Sequence, residues 1–285
     1  MTKPTPFYLS TVILALSGTA VFLLKPGYNT NGINTEIFSW LTALFLLWVI
    51  LSVCGVAFLS MGWFVPVFSR GSKRSKIVAL SFDDGPHPET TPRLLTILET
   101  HKVKAAFFVT GSKAEKYTEI IRAIHAKGHL IGNHSYSHSW RNNLLSPRSL
   151  HTEIASCQNI LAGITGEKPA WYRPPVGLTN PRLLPVLRSL GLRVYGWSIR
   201  TGDGVSVNWQ RVEKRILKKV RGGDIILFHD GRSRGRSGTI GKETHTNADF
   251  FSVIENCIIA LQKRGFALEV EGKTTQDKTS VPPGL

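Results

Sequence analysis

From residue 77 onward, short apolar runs alternate with longer amphipathic stretches. Apolar runs that stop at polar or turn residues read as buried strands near 77–82, 105–110, 129–133, 170–173, 193–198, 224–228 and 266–270. Helix-period patterns fall between them, near 90–101, 115–127, 148–163, 181–190, 208–219 and 248–264. Pro147, Pro181 and Asn247-Ala248-Asp249 are helix openings, and Gly128, Gly191 and Gly265 are stops. Strict alternation of strand and helix predicts a parallel sheet covered by helices. The most polar residues gather where strands end, which fits the mouth of a barrel.

The first 69 residues follow another pattern. Neither 7–24 nor 37–68 contains a charged residue. Each is long enough to cross a bilayer, which predicts two transmembrane helices at about 7–24 and 38–60. The first also fits a signal peptide. Trp63, just beyond the second, suits the headgroup level. The division that follows is a membrane anchor over 1–69, a basic linker over 70–76, a folded domain over 77–270 and a disordered polar tail over 271–285. Lys3 flanks the first span, and Arg70, Lys73, Arg74 and Lys76 flank the second. The positive-inside rule then puts both ends in the cytoplasm, with the anchor in the inner membrane.

Charge narrows the partners. The formal net charge is +16, and most of the excess falls after residue 76. A tethered basic domain suits anionic membrane lipid, or a substrate carrying phosphate. No basic stripe with interleaved aromatics is present, so nucleic acid is not an expected partner. Cys54, Cys157 and Cys257 are scattered and imply no disulfide framework.

The chemistry concentrates at two strand ends. Ser81-Phe82-Asp83-Asp84-Gly85-Pro86 places adjacent carboxylates after an apolar run. A solvated turn would explain them, and so would a bound cation. His134-Ser135-Tyr136-Ser137-His138 follows another short strand and sets two imidazoles four apart, on one face if the turn is helical. Two histidines and one carboxylate are a ligand set that leaves positions open for hydrolytic chemistry.

These stretches, with Arg173-Pro174-Pro175-Val176-Gly177 and Leu227-Phe228-His229, stand in the order seen in the polysaccharide deacetylases (carbohydrate esterase family 4), which the chain resembles over about 77–270. The resemblance implies a distorted seven-stranded (β/α) barrel and a metal-dependent hydrolase that removes an N-acetyl group from an amino sugar of a glycan or its precursor. It assigns Asp84, His134 and His138 to one divalent ion, Zn2+ first, with Co2+, Mn2+ and Ni2+ as alternatives. Asp83 is then the general base, held by Arg173. The backbone N–H of Val176 serves the oxyanion, and His229 is the general acid, held by Asp203. Many relatives work outside the cell, an extracytoplasmic alternative to the charge rule.

The chain departs from the family pattern. Where Asp-x-x-Asp-Trp is usual, Arg200-Thr201-Gly202-Asp203-Gly204 keeps only the second acid, and Val176 replaces an aromatic. Fewer sugar-stacking surfaces favour a smaller or lipid-linked substrate. A deacylase or deformylase of a lipid-linked amino sugar at the cytoplasmic face is therefore an alternative, and an inactive sugar-binding membrane protein is one of another class. Arg234 and Arg236, beside Arg232 and Lys242, are candidates to grip a substrate phosphate. Trp171, Tyr172, Tyr195 and Trp197 read as core, His87 as loop, and His101, His125, His129 and His151 as solvent-facing.

Overall fold

The computed structural model describes residues 5–23, 33–203, 208–230 and 247–270. Two apolar helices open the chain, α1 (Pro6–Leu23) and α2 (Ile33–Ala57). Among the described residues, one segment, Ser39–Ala57, is long and apolar enough to cross a membrane, and its side chains are almost wholly unburied. The expected first span is represented by α1, whose described apolar stretch, Pro6–Ala15, is shorter. The second ends at Ala57, before the expected 60, because residues 59–61 form a separate single turn that Gly62 closes in the left-handed region.

The strands are β1 (Val67–Phe68), β2 (Ile77–Gly85), β3 (Ala106–Val109), β4 (Leu130–Asn133), β5 (Trp171–Tyr172), β6 (Arg193–Tyr195), β7 (Ile199–Arg200), β8 (Ile225–His229) and β9 (Ala267–Leu268). They form one parallel sheet in the order β1-β6-β5-β4-β3-β2-β8-β7, with β9 on β2. All seven expected strands are present. The two added ones have no boundary of their own in the sequence: β1 lies in the uncharged stretch 37–68, and β7 directly follows the expected strand 193–198. The expected strand at 193–198 is the start of a stretch that serves both ends of the sheet. Its first part pairs with β5 and β1, and its continuation, Ile199–Arg200, pairs with β8. The sheet thus curls round on itself with a seam at 196–198. The fold is the expected barrel, distorted at that seam.

Helices α3 (Thr90–Thr100), α4 (Gly111–Lys116), α5 (Thr118–Ala126), α6 (Pro147–Thr165), α7 (Leu183–Ser189), α8 (Trp209–Lys219) and α9 (Asn247–Lys263) connect the strands. The helix expected at 115–127 is two, broken at Tyr117. Ser146 caps α6 by accepting from the Ser149 N–H, with Pro147 at the first position.

The twofold alternation along each strand separates two cores. Val78, Leu80 and Phe82 of β2, Phe107 and Val109 of β3, and Ile226 and Phe228 of β8 face the helices. Ala79, Ala106, Phe108, Trp171, Tyr195 and Ile225 fill the barrel interior. The inward row of β2 continues from Ala79 through Ser81 to Asp83, and that of β8 through Leu227 to His229, so the same alternation that fills the barrel floor delivers polar groups to its mouth. Asp83 and His229 are in register on adjacent strands.

Candidate active site at the barrel mouth

A cavity of about 60 Å³ opens at the C-terminal ends of the strands, lined by Asp83, Asp84, His134, His138, Val176, Gly177, Trp197, Arg200, Leu227 and His229. Asp84 lies at the end of β2 with φ +66°, a left-handed conformation that Asp tolerates. Asp84 meets both imidazoles, while Asp83 pairs with Arg173 and lies 3.9 Å from His134 Nε2.

Asp84, His134 and His138 each offer an atom within 4.8 Å of the others. Asp84 Oδ1 is 3.3 Å from His134 Nε2 and 2.8 Å from His138 Nε2. The histidines are brought together differently from the helical turn expected. No helix covers 134–138; Ser135 and His138 instead have φ +65° and +55°. The turn is held by Asn133 Oδ1, which accepts from Ser135 N–H (2.8 Å), and by Glu153 Oε1, which accepts from both Ser137 N–H and Oγ–H (2.6 Å each).

These residues fit a cation. His134 Nδ1 is 2.7 Å from the Arg173 carbonyl, which can only accept. That bond puts the proton on Nδ1 and leaves the Nε2 lone pair of the neutral imidazole facing a carboxylate oxygen. Two lone pairs at that distance repel unless a cation or a proton lies between them. Burial would raise the Asp84 carboxyl, but a proton or cation shared with His134 and His138 outweighs it and holds the group well below the ordinary carboxylate range.

Asp83 belongs to a second arrangement. Arg173 is fully buried inside the barrel, its guanidinium 4.0 Å from the Phe108 ring. It donates to Asp83 Oδ1 (2.5 Å), Ser81 Oγ (3.1 Å), Tyr195 O (3.0 Å) and Gly196 O (2.9 Å). A buried arginine with every branch bonded fixes the carboxylate it pairs with in one rotamer. Opposite, His229 Nδ1 lies 2.7 Å from Asp203 Oδ1, and His229 N–H donates to Asp203 Oδ2 (2.8 Å). Burial opposes protonation of His229, but the hydrogen bond to Asp203 and the charges of Asp203, Asp83 and Asp84 outweigh it, so its pKa lies above that of a free imidazole. Val176 is half exposed at φ +54°, a rare conformation for a β-branched residue.

The structure thus gathers Asp83, Asp84, His134, His138, Arg173, Val176, Asp203 and His229 at one mouth. Arg234 and Arg236 lie outside the described residues, as does the expected tail 271–285. Several neighbours were not legible in the sequence. Lys113 donates to the Asp84 carbonyl (2.5 Å) from what reads as an ordinary helix start. Burial lowers its pKa, against the charges of Asp84 and Asp230. Asp230 is fully buried and accepts from Thr90 (2.6 Å) and Thr91 (2.5 Å), and burial pushes its carboxyl up to about 6. Its place directly after His229 was the available signal. Trp197, read as core, lines the cavity, while Trp171, Tyr172 and Tyr195 are buried as expected. Gly177 has no room for a side chain, since a Cβ there would lie 2.7 Å from the Trp197 ring. His129, expected in solvent, is buried, its Nδ1 accepting from the Ala105 N–H.

A curled parallel β/α barrel whose mouth joins two imidazoles, paired carboxylates and an Asp–His couple has the makeup of a hydrolytic centre. The polysaccharide deacetylase family model matches residues 70–195. The chitooligosaccharide deacetylase of Azorhizobium caulinodans is 32% identical over 202 residues, 70% of this chain and 95% of that protein. The structure of the peptidoglycan deacetylase PdaC from Bacillus subtilis superposes with a TM-score of 0.60 at 28% identity, over 73% of this chain and 93% of that one. A carbohydrate esterase family 4 pseudoenzyme from Bacillus anthracis shares the fold, with a TM-score of 0.62 at 22% identity over 72% and 66%. The chain belongs to the polysaccharide deacetylase family.

Proposed function

We propose that this protein is a hydrolase that removes the N-acetyl group from an amino sugar of a glycan or glycan precursor, through a divalent ion held by Asp84, His134 and His138. The observation that carries the reading is the convergence of three bonded groups on one small cavity: the Asp84–His134–His138 set, Asp83 on buried Arg173, and His229 on buried Asp203. The fold alone does not carry it, because a pseudoenzyme has the same fold. An inactive sugar-binding protein has no use for all three groups together.

Bound there, the ion supplies Lewis acidity toward the acyl oxygen and toward water. Zn2+ suits two imidazoles and a carboxylate best, with Co2+, Mn2+ and Ni2+ as alternatives. The chain's residues supply the proton transfers. Asp83, held in place by its ion pair with Arg173, takes a proton from the attacking water. The backbone N–H of Val176 donates to the acyl oxygen as it becomes anionic. His229, kept protonated by Asp203, gives its proton to the sugar nitrogen as the C–N bond breaks. Acetate and the free amine leave.

A second reading rests on Arg200. It lines the cavity at the position where the family pattern has an acid, and among the described residues it has no carboxylate partner. A cation there favours an anionic amino sugar, such as one linked through phosphate to a lipid, and extends to a deacylase or deformylase acting at the cytoplasmic face. The anchor fits either reading. Residues 77–270, joined by β1, form the catalytic unit on this reading, and α2 is the membrane span, with Lys73, Arg74 and Lys76 on its cytoplasmic side.

The test is acetate release. The full-length protein, loaded with Zn2+, should free acetate and an amine from N-acetylchitooligosaccharide or from an N-acetylated lipid-linked sugar. Stoichiometric metal binding without release from either would leave the inactive-protein reading standing instead.

A further inference from the structure

The rim of the catalytic mouth is bound to the end of the apolar helix. Thr179 donates through its N–H to the Val56 carbonyl (3.2 Å) and through Oγ1 to the Gly55 carbonyl (2.8 Å). These are among the last carbonyls of α2, which have no partner within the helix, so the rim loop caps it. Tyr8 of α1 donates to the Pro181 carbonyl (2.7 Å), two residues further along the same loop. Val176, which lines the cavity, stands three residues before Thr179.

The same rim carries apolar side chains turned to the outside. A short turn at Trp140–Leu144 lies against the loop, with Asn180 Nδ2 donating to Asn143 Oδ1 (2.7 Å) and Arg182 to the Asn143 carbonyl (2.9 Å). Trp140 is 50% exposed, Leu144 67% and Val176 52%. Phe58 and Met61, just past the end of α2, are exposed as well. Arg141 sits beside the Trp140 ring, giving an aromatic and a cation together, as suits a bilayer interface. An exposed apolar group of this kind marks a contact surface, and its continuity with α2 identifies what covers it.

We infer that the catalytic rim rests on the surface of the membrane that holds α2, with Trp140, Leu144 and Val176 in the interface, so that the site takes amino sugars presented at that surface. This rests on reading α2 as a membrane span and on the deacetylase reading of the site. Helix, cap and mouth are then a single unit. The mouth opens where a lipid-linked or membrane-bound sugar lies, and a soluble oligosaccharide reaches it only from the side.

The experiment uses the full chain in vesicles of equal parts phosphatidylcholine and phosphatidylglycerol. In a Cys54→Ala background, with Cys157 and Cys257 fully buried, a fluorophore is placed at Leu144→Cys or, as the control, at Glu167→Cys. Glu167 lies past the far end of α6, a helix about 28 Å long whose start follows Leu144. Spin-labelled lipid should quench the label at 144 and not the one at 167. Equal quenching at both sites, or none at 144, overturns the inference. The activity arm compares wild type with Trp140→Ser/Leu144→Ser on two substrates. Turnover of a vesicle-borne N-acetylated glycolipid should fall by at least about tenfold while N-acetylchitooligosaccharide is unaffected; equal loss on both overturns the surface role. Quenching at 144 in a protein that hydrolyses neither substrate would instead sink the deacetylase reading and leave the membrane contact standing.

Discussion

Asp83 and Asp84 are chemically identical neighbours, and their surroundings give them different work. Asp83 faces inward by strand alternation and meets a buried arginine at 2.5 Å. Asp84 adopts φ +66° and meets two imidazoles. The same logic applies at His229, whose usefulness as an acid depends on its partner. Because the hydrogen bond and charge of Asp203 outweigh burial and raise the His229 pKa, the protonated form that the proposed mechanism needs survives to higher pH, and activity should fall as pH rises through the His229 pKa. Asp203→Asn removes the charge, so the alkaline limb of the kcat profile should move to lower pH, with kcat near neutrality down by roughly 10- to 100-fold. An unmoved limb in a folded variant would show that Asp203 does not hold the proton. At Val176 the proposed role belongs to the backbone N–H alone. Val176→Gly keeps the N–H and relieves a left-handed β-branched residue that costs about 1–2 kcal/mol. Its kcat should stay within about threefold of wild type; a loss as large as that of a missing oxyanion donor would mean the side chain matters.

At the scale of elements, the site depends on strands placed to within a side chain's width. Gly132 on β4 shows how closely they fit. A Cβ there would stand 2.3 Å from the Phe108 ring, the surface on which Arg173 lies. Gly132→Ala must therefore push Phe108 and, through it, the arginine that holds Asp83. Overpacking of this kind should cost about 1–3 kcal/mol, read as a lowered Tm, and kcat should fall while metal content is kept. The elements themselves were largely legible, because β2, β3, β4, β6 and β8 show apolar runs that stop at polar residues. What the sequence hid has a physical reason in each case. β1 is hidden in the uncharged stretch 37–68, and β7 runs on directly from the expected strand 193–198. The His134–His138 spacing reads as helical, yet Asn133 and Glu153 fold it into a left-handed turn by side-chain bonds that leave no local signal. Lys113 reaches the site only through tertiary approach, whereas Asp230 is signalled only by its place directly after His229. The motif acids and histidines were legible because each sits directly at the end of an apolar strand.

The whole molecule combines an apolar helix, a curled sheet and a mouth whose rim is joined to that helix. On the proposed mechanism, Asp84 holds a metal ion and Asp83 moves a proton. The most direct measurement is elemental analysis of purified Asp83→Asn and Asp84→Asn, taken with turnover at several metal concentrations. Asp84→Asn exchanges an anionic ligand for a neutral one, so metal and activity should be lost together and excess metal should restore part of both. Asp83→Asn leaves the three ligand side chains intact, so metal should stay, while kcat falls by roughly 10²–10⁴ with little change in KM and no rescue by metal. If Asp83→Asn loses its metal and Asp84→Asn keeps it, the two roles are exchanged; if both variants keep metal and full activity, the paired aspartates form only a turn and the account is wrong.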